Sequence, residues 1–382
     1  MRISRVVLKN WKNFRNVDVS LLDRTYIIGP NAAGKSNILD VFRFMNDISK
    51  SGGGLQKAVE DRGGITKLRC LQARNEPEIG ITLYLEDEEL ISNNWIYELV
   101  FRAEGKGRQR INVTKEKVTK NNKTLISRPN DRDNSDNLQL TQTYLEQILA
   151  NNLFRELSDF FTSITYLHLV PQLLKYPGEI NTSRPDDDPF GQGFLERIAA
   201  TPIRTRDAWL RKIQYGLSIA VPQFKELRFE KDNNGLPHLE ARYDHWRPNA
   251  GWQREDQFSD GTLRLIGLLW SLLEKRQLLL LEEPELSLNN EIVRYIPEII
   301  ENTLKGARNQ KQIILSTHSE ALLDNSIDAN SIIILEPSTN GTTARTPDEN
   351  ERNAMSSGFT PAEIMLPKTS PKNVKDILKV KR

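Results

Sequence analysis

The stretch Gly29-Pro30-Asn31-Ala32-Ala33-Gly34-Lys35-Ser36 fits the pattern G-x-x-x-x-G-K-[ST]. Few eight-residue segments restrict a fold as tightly. Tyr26-Ile27-Ile28 before it has strand character, and Asn37 to Phe44 after it has helical spacing, with Ile38, Val41, Phe42 and Met45 on one side. Strand, glycine turn and helix in that order make an anion cradle. Glycines let backbone N–H groups close around phosphate oxygens. The helix turns its positive end toward the anion. Lys35 is then expected to reach the β- and γ-phosphates, and the Ser36 hydroxyl to ligate Mg²⁺.

A second feature belongs with the first. Leu278-Leu279-Leu280-Leu281 is a continuous apolar run, as a strand buried on both faces requires, and it ends in Glu282-Glu283-Pro284-Glu285. A carboxylate at such a strand end can hold Mg²⁺ through water, and the next can polarise an attacking water. Glu282 is assigned to the metal and Glu283 to the general base.

Hydrophobic patterning organises the rest. Strands are expected at Ile3–Lys9, Leu21–Asp23, Glu78–Glu86, Trp95–Arg102, Arg110–Val118, Phe224–Glu230 and Leu239–Tyr243. Helices are expected at Leu138–Phe161, Phe194–Leu217, Gly261–Glu274 and Asn289–Leu304. Buried strands follow at Gln312–Leu315 and Ser331–Leu335. Lys120–Asn137 is polar enough to read as a mobile loop, and Pro185–Pro189 as a loop. The domain reading is an N-terminal lobe 1–137, a mainly helical insertion 138–225, a C-terminal lobe 226–345 and a basic tail 346–382.

Fifty-three Lys and Arg against 51 Asp and Glu leave no overall charge that would announce a nucleic-acid binder. The single cysteine, Cys70, excludes an intrachain disulfide, and no apolar run approaches a membrane span. A cytoplasmic protein with no membrane partner is expected. His168, His238 and His245 have no metal-ligand spacing.

With these motifs in hand, both ends of the chain, about 1–50 and 250–336, resemble the RecF/SMC-like branch of the ABC ATPases. Asn10-Trp11-Lys12-Asn13-Phe14 is similar to the segment that those heads place before the phosphate loop, which puts Lys12 near the nucleotide. Phe258-Ser259-Asp260-Gly261-Thr262-Leu263-Arg264 resembles the ABC signature, with Asp260 in place of the first glycine. Leu286-Ser287-Leu288-Asn289 looks like the loop that crosses the dimer interface, and Ser316-Thr317-His318-Ser319 like the switch-histidine segment. The resemblance implies an α/β fold: an ABC-type ATPase head, a mixed sheet around the phosphate loop with an antiparallel β subdomain, plus the helical insertion. It implies ATP and Mg²⁺ as cofactors. It implies Glu283 and His318 as catalytic groups, and Ser36, Glu282 and Gln172 on the metal side. Lys12, Asn31, Gly34, Lys35, Ser36 and Asn37 would hold the nucleotide, with Ser259 and Gly261 closing on it from a second copy. Glu282 stands where the family usually has Asp, which would slow hydrolysis.

One phosphate loop and one signature per chain imply a homodimer or higher assembly with two composite sites. The chain is too short for the long coiled coil of SMC proteins. The reading that follows is an ATP-gated sensor or clamp on DNA or RNA, in antiviral defence or repair, working with a separate effector such as a nuclease. Alternatives are a nucleotide-dependent scaffold with little hydrolysis and the ATPase subunit of a transporter. Arg102, Lys106, Arg108, Arg110, Lys115, Lys117, Lys120 and Lys123 could line a strand face with positive charge for a phosphate backbone, or form a solvated hairpin. Lys368–Arg382 is a basic end that could contact nucleic acid or a partner, or stay disordered.

Overall fold

The computed structural model describes residues 1–73, 75–87, 94–105, 110–176, 188, 190–244, 251–304, 311–325 and 327–369. The chain divides into two packed units. The first comprises Met1–Thr165, Arg276–Leu280 and Asn309–Arg382; the second comprises Tyr166–Lys275 and Leu281–Arg308.

Two sheets build the first unit. One is antiparallel, with strands in the order Phe14–Ser20, Arg2–Trp11, Ile79–Glu86, Trp95–Ala103, Ile111–Lys120 and Lys123–Arg128. Alternation drives it: Ile79, Ile81, Leu83 and Leu85 are buried, as are Trp95, Tyr97, Leu99 and Phe101. In the other sheet Gly341–Arg345, Ile332–Ser338, Arg24–Ile28, Gln312–Ser316 and Leu278–Glu282 follow in that order. Arg24–Ile28 lies parallel to both of its neighbours. Ile313, Ile314 and Leu278–Leu280 have no accessible surface, which is why these strands are apolar at every position. Ile38, Leu39, Val41, Phe42, Phe44, Met45 and Ile48 bury one side of the helix Lys35–Ser49.

Several sequence expectations need correction here. Leu21–Asp23 is not a strand; the chain turns there between Phe14–Ser20 and Arg24–Ile28. The expected loop 120–137 contains the strand Lys123–Arg128 and the capped helix Asp131–Ser135. Two of its charges, Arg128 and Asp133, are internal. Arg128 is buried between Glu116 (2.9 Å) and Asp133 (2.7 Å). Leu138–Phe161 is not one helix but the 3₁₀ turns Asn137–Thr141 and Asn151–Phe154, then the helix Arg155–Thr162. Carboxylates hold the backbone instead. Glu116 accepts from the N–H groups of Tyr144 (2.8 Å) and Leu145 (3.2 Å), and Glu146 from those of Thr143 (2.5 Å) and Leu55 (3.0 Å).

Residues 346–382 do not begin as a tail: Glu349–Ser356 and Pro361–Thr369 are helices, and 370–382 lie outside the described residues. Glu351, buried in the first of these helices, joins Arg345 (2.7 Å) and Lys368 (2.6 Å). The Arg345 hydrogen bond is the main cause that holds its carboxyl down at about 2. A carboxyl depressed in the fold stabilises above its ordinary value of 4.5 and loses that contribution as pH falls toward 2. Urea midpoints are therefore expected to fall between pH 5 and 3 in the parent protein, and less steeply in Glu351→Gln.

In the second unit a three-stranded antiparallel sheet runs Gln253–Arg254, Pro237–Tyr243, Phe224–Lys231. Around Trp270, on the helix Asp260–Leu273, lie Phe194 and Trp209, with ring centroids at 6.3 and 5.0 Å. The single helix expected over Phe194–Leu217 is two, Phe194–Ala200 and Ile203–Ala220, broken at Pro202. That expected over Asn289–Leu304 is also two, Asn290–Arg294 and Ile296–Leu304. The units do not follow the four expected segments. Residues 138–165 pack in the first unit, and 226–345 is divided between both. Among the described residues no helix is long and apolar enough to cross a membrane.

Candidate functional site

The phosphate loop lies in the first unit. The strand Arg24–Ile28 runs into Gly29, and Gly34 caps the helix Lys35–Ser49 in a left-handed conformation, φ 99°. No side chain caps this helix and no acid sits in its first turn, so its N-terminal N–H groups keep their positive potential. Lys35 is buried, and its Nζ donates to the Gly29 carbonyl at 3.1 Å. Asn31 and Ser36 are exposed.

Asn13 braces the turn. Its Nδ2 donates to Ala33 O (2.7 Å) and Thr342 Oγ1 (2.8 Å), and its Oδ1 accepts from Asn37 Nδ2 (2.8 Å). A Cβ on Gly34 would lie 2.3 Å from the Asn13 amide, so both the backbone angle and the brace require glycine. Trp11 Nε1 donates to Asn37 O at 2.8 Å, tying the preceding strand to the same helix. Neither the Asn13 brace nor its Thr342 partner is visible in the motif itself. Lys12 carries its Nζ to Asp40 at 2.6 Å, on a carboxylate also bound by Arg62. Burial works to raise the Asp40 carboxyl, but Arg62 and Lys12 outweigh it and hold the carboxyl below the usual range.

His318 also belongs to this unit. It is exposed just after the buried strand Gln312–Ser316. Thr317 N donates to Ile27 O at 3.1 Å, which fixes the segment beside the strand that feeds the phosphate loop.

The signature lies in the second unit. Ser259 is the exposed N-cap of the helix Asp260–Leu273, and its Oγ accepts from Thr262 N at 3.1 Å. Asp260 is held by Lys175 Nζ (2.7 Å) and Gln172 Nε2 (2.8 Å). The Gln172 amide thus faces the signature aspartate. A Cβ on Gly261 would meet the Ser287 carbonyl at 2.5 Å, so glycine lets the Leu286–Asn289 loop lie directly on the signature turn. Gly261→Ala is expected to force these two loops apart and to lower ATP turnover at least about tenfold while melting temperature changes little. An unchanged rate would mean that the contact does not set the geometry.

At the end of the acidic strand the Glu282 carboxylate accepts a hydrogen bond from the Tyr166 hydroxyl, and His168 Nδ1 lies 3.4 Å from the Glu282 carbonyl. Glu283 is held at φ 44°, in the left-handed region that costs a non-glycine residue about 1–3 kcal/mol. Burial lowers the Arg264 guanidinium, and Asp260 and Glu283 are the acids that oppose this. Tyr166 was not legible as a site residue from spacing.

The basic stretch is only partly open. Lys115 pairs with Glu98 (2.7 Å), Lys120 with Glu156 (3.4 Å) and over the Trp95 ring, while Lys106 and Arg108 lie outside the described residues.

Compared with solved structures, the chain is similar in fold to SMC heads. An SMC head bound to the C-winged helix domain of ScpA superposes with a TM-score of 0.57 at 16% identity, covering 92% of this chain and 99% of that one. The SMC head domain from Thermotoga maritima gives 0.51 at 15% identity, covering 91% and 100%. The Smc head domain with an extended coiled coil from Pyrococcus furiosus, bound to the C-terminal domain of ScpA, gives 0.54 at 14% identity, covering 93% and 98%. No curated protein matches the sequence. Fold and phosphate loop together define a P-loop ATPase head of the ABC type, SMC/RecF-like. The family model described as "AAA domain, putative AbiEii toxin, Type IV TA system" matches residues 24–324, and the chain belongs to that family.

Proposed function

We propose that the chain binds ATP with Mg²⁺ and hydrolyses it between two copies of itself. The observation that carries this reading is the strand–turn–helix of Gly29–Ser36, with left-handed Gly34 at an uncapped, acid-free helix start. The metal ligands proposed here, the Ser36 hydroxyl and the Glu282 carboxylate, are oxygen donors of the kind a hard cation takes. Mg²⁺, when bound, neutralises phosphate charge.

Lys35 exchanges the Gly29 carbonyl for phosphate oxygens, and Asn31 and Asn37 orient the loop around them. Lys12 adds positive charge from the Asp40 side. Glu283 accepts the proton of the attacking water, and His318 orients the terminal phosphate. Gln172 reaches the metal side once it leaves Asp260. Ser259 and Gly261 of one copy close on the nucleotide held by the other, so hydrolysis loosens the pair.

Mixing tests the shared site. Lys35→Ala and Ser259→Arg proteins are each expected to be inactive. In an equal mixture, mixed pairs carry one intact site, so about a quarter of parental activity should return. No recovery, with mixed pairs demonstrated by crosslinking, would sink the composite site.

The cycle serves a sensor or clamp on DNA or RNA in the cytoplasm, coupled to a separate effector such as a nuclease, in defence or repair. Stimulation of ATPase by duplex DNA or RNA tests this. A slow, scaffold-like turnover is favoured by one contact, the Tyr166 hydroxyl on the Glu282 carboxylate. Tyr166→Phe would then raise the rate.

A further inference from the structure

The antiparallel sheet of the first unit contains a slip. Val100 pairs with Lys115 but Phe101 pairs with Val113, so Thr114 is an extra residue with no partner on the neighbouring strand. Such a bulge re-aims side chains and is frequent beside binding sites. Here it does two things: it sends Glu116 into the core, and it sets Thr114 on a cavity of about 620 Å³. Asn112 lines the same cavity. Arg102, its cross-strand neighbour, and Glu104 stand at it, and Pro129 and Leu140 give it apolar walls.

Its chemistry is incomplete. Asn112 Oδ1 and Thr114 Oγ1 are buried without a hydrogen-bond partner among the described residues. Buried oxygens left so cost free energy, and both belong to residues that line the cavity. Arg102 is exposed, and no ion pair engages it among the described residues. The cavity therefore offers one cation, one carboxylate, two oxygens in want of donors, and flat apolar walls.

We propose that this cavity binds one nucleotide unit, with its phosphate at Arg102 and its base against Pro129 and Leu140. The ring N–H and amino groups of the base meet Glu104, Asn112 and Thr114. The volume falls in the range of ligand pockets, about 300–1,000 Å³, and suits a base and sugar together. An amino acid would satisfy Arg102 and Glu104 but leave most of the space unfilled. The unit is either a free mononucleotide or the phosphorylated end of a strand. The inference deepens the nucleic-acid reading above and is independent of the phosphate loop.

The experiment uses the full chain as Lys35→Ala, so that the phosphate loop does not contribute. Calorimetry follows the four nucleoside monophosphates, then a single-stranded oligonucleotide with and without a 5′-phosphate. Arg102→Ala, Glu104→Gln and Thr114→Val are each expected to weaken binding about tenfold. Circular dichroism checks folding, and the two exposed positions, 102 and 104, keep the test available if Thr114→Val is unstable. Saturable monophosphate binding lost in the variants supports a free nucleotide, and binding only of the phosphorylated strand supports a strand end. No binding of any probe overturns the proposal, as does binding that all three variants leave unchanged. An oligonucleotide held equally by parent and variants would place nucleic acid elsewhere, so the broader reading would survive while the cavity assignment fell.

Discussion

Glu283→Gln is expected to lower steady-state ATP hydrolysis by about 10²–10⁴-fold while leaving ATP binding intact. Glutamine keeps the size of the side chain and removes only its basicity. Glu283 occupies a backbone conformation, φ 44°, that neither Glu nor Gln favours, so the exchange leaves the local strain unchanged. It directly follows the strand Leu278–Glu282. ATP that is bound and not cleaved should hold two copies together. Phosphate release and light scattering on the same sample would then show a low rate and a dimer. A normal rate would remove Glu283 from the role of base.

The second large effect concerns stability. Arg128→Met should cost about 3–5 kcal/mol in urea unfolding, because it leaves two carboxylates buried without their cation. The side chains of Arg128, Glu116 and Asp133 have no accessible surface. Burial pushes the Glu116 carboxyl up, against the opposing pull of the Tyr144 N–H and Arg128. Replacing the whole ionic group by apolar residues is often harmless in proteins. Here it should not be, since Tyr97, Tyr144 and Leu145 donate to Glu116, and Asn130 N donates to Asp133 at 2.9 Å. A loss below about 1 kcal/mol would place the group among ordinary surface ion pairs.

That network also explains where the sequence misled. Residues 120–137 look like solvent-facing chain because apolar pattern counts charge as exposure. It is blind to an arginine that pairs with a glutamate from the neighbouring strand and an aspartate five residues on. Register is equally hidden: the bulge at Thr114 shifts the alternation along its strand so that Glu116 lies in the core. The missed break at Pro202 was legible, since the residue before a proline avoids helical backbone. What could be read directly was whatever rests on local chemistry. The glycine loop, the four-leucine strand and the serine before the helix Asp260–Leu273 stand in the elements expected for them. Their supports, Asn13, Thr342 and Tyr166, come from distant segments, and spacing carries no signal for them.

The Asn13 brace has a consequence for biosynthesis. Its amide bonds the Thr342 hydroxyl, and Thr342 N returns a bond to the Asn13 carbonyl at 2.8 Å. Residues 329 positions apart in the chain thus meet beside Gly34. A nascent chain on the ribosome exposes the glycine turn before the hairpin that carries Thr342, and cannot lock the turn until that hairpin has emerged. Full bracing of the glycine turn is therefore expected only after Thr342 has been synthesised.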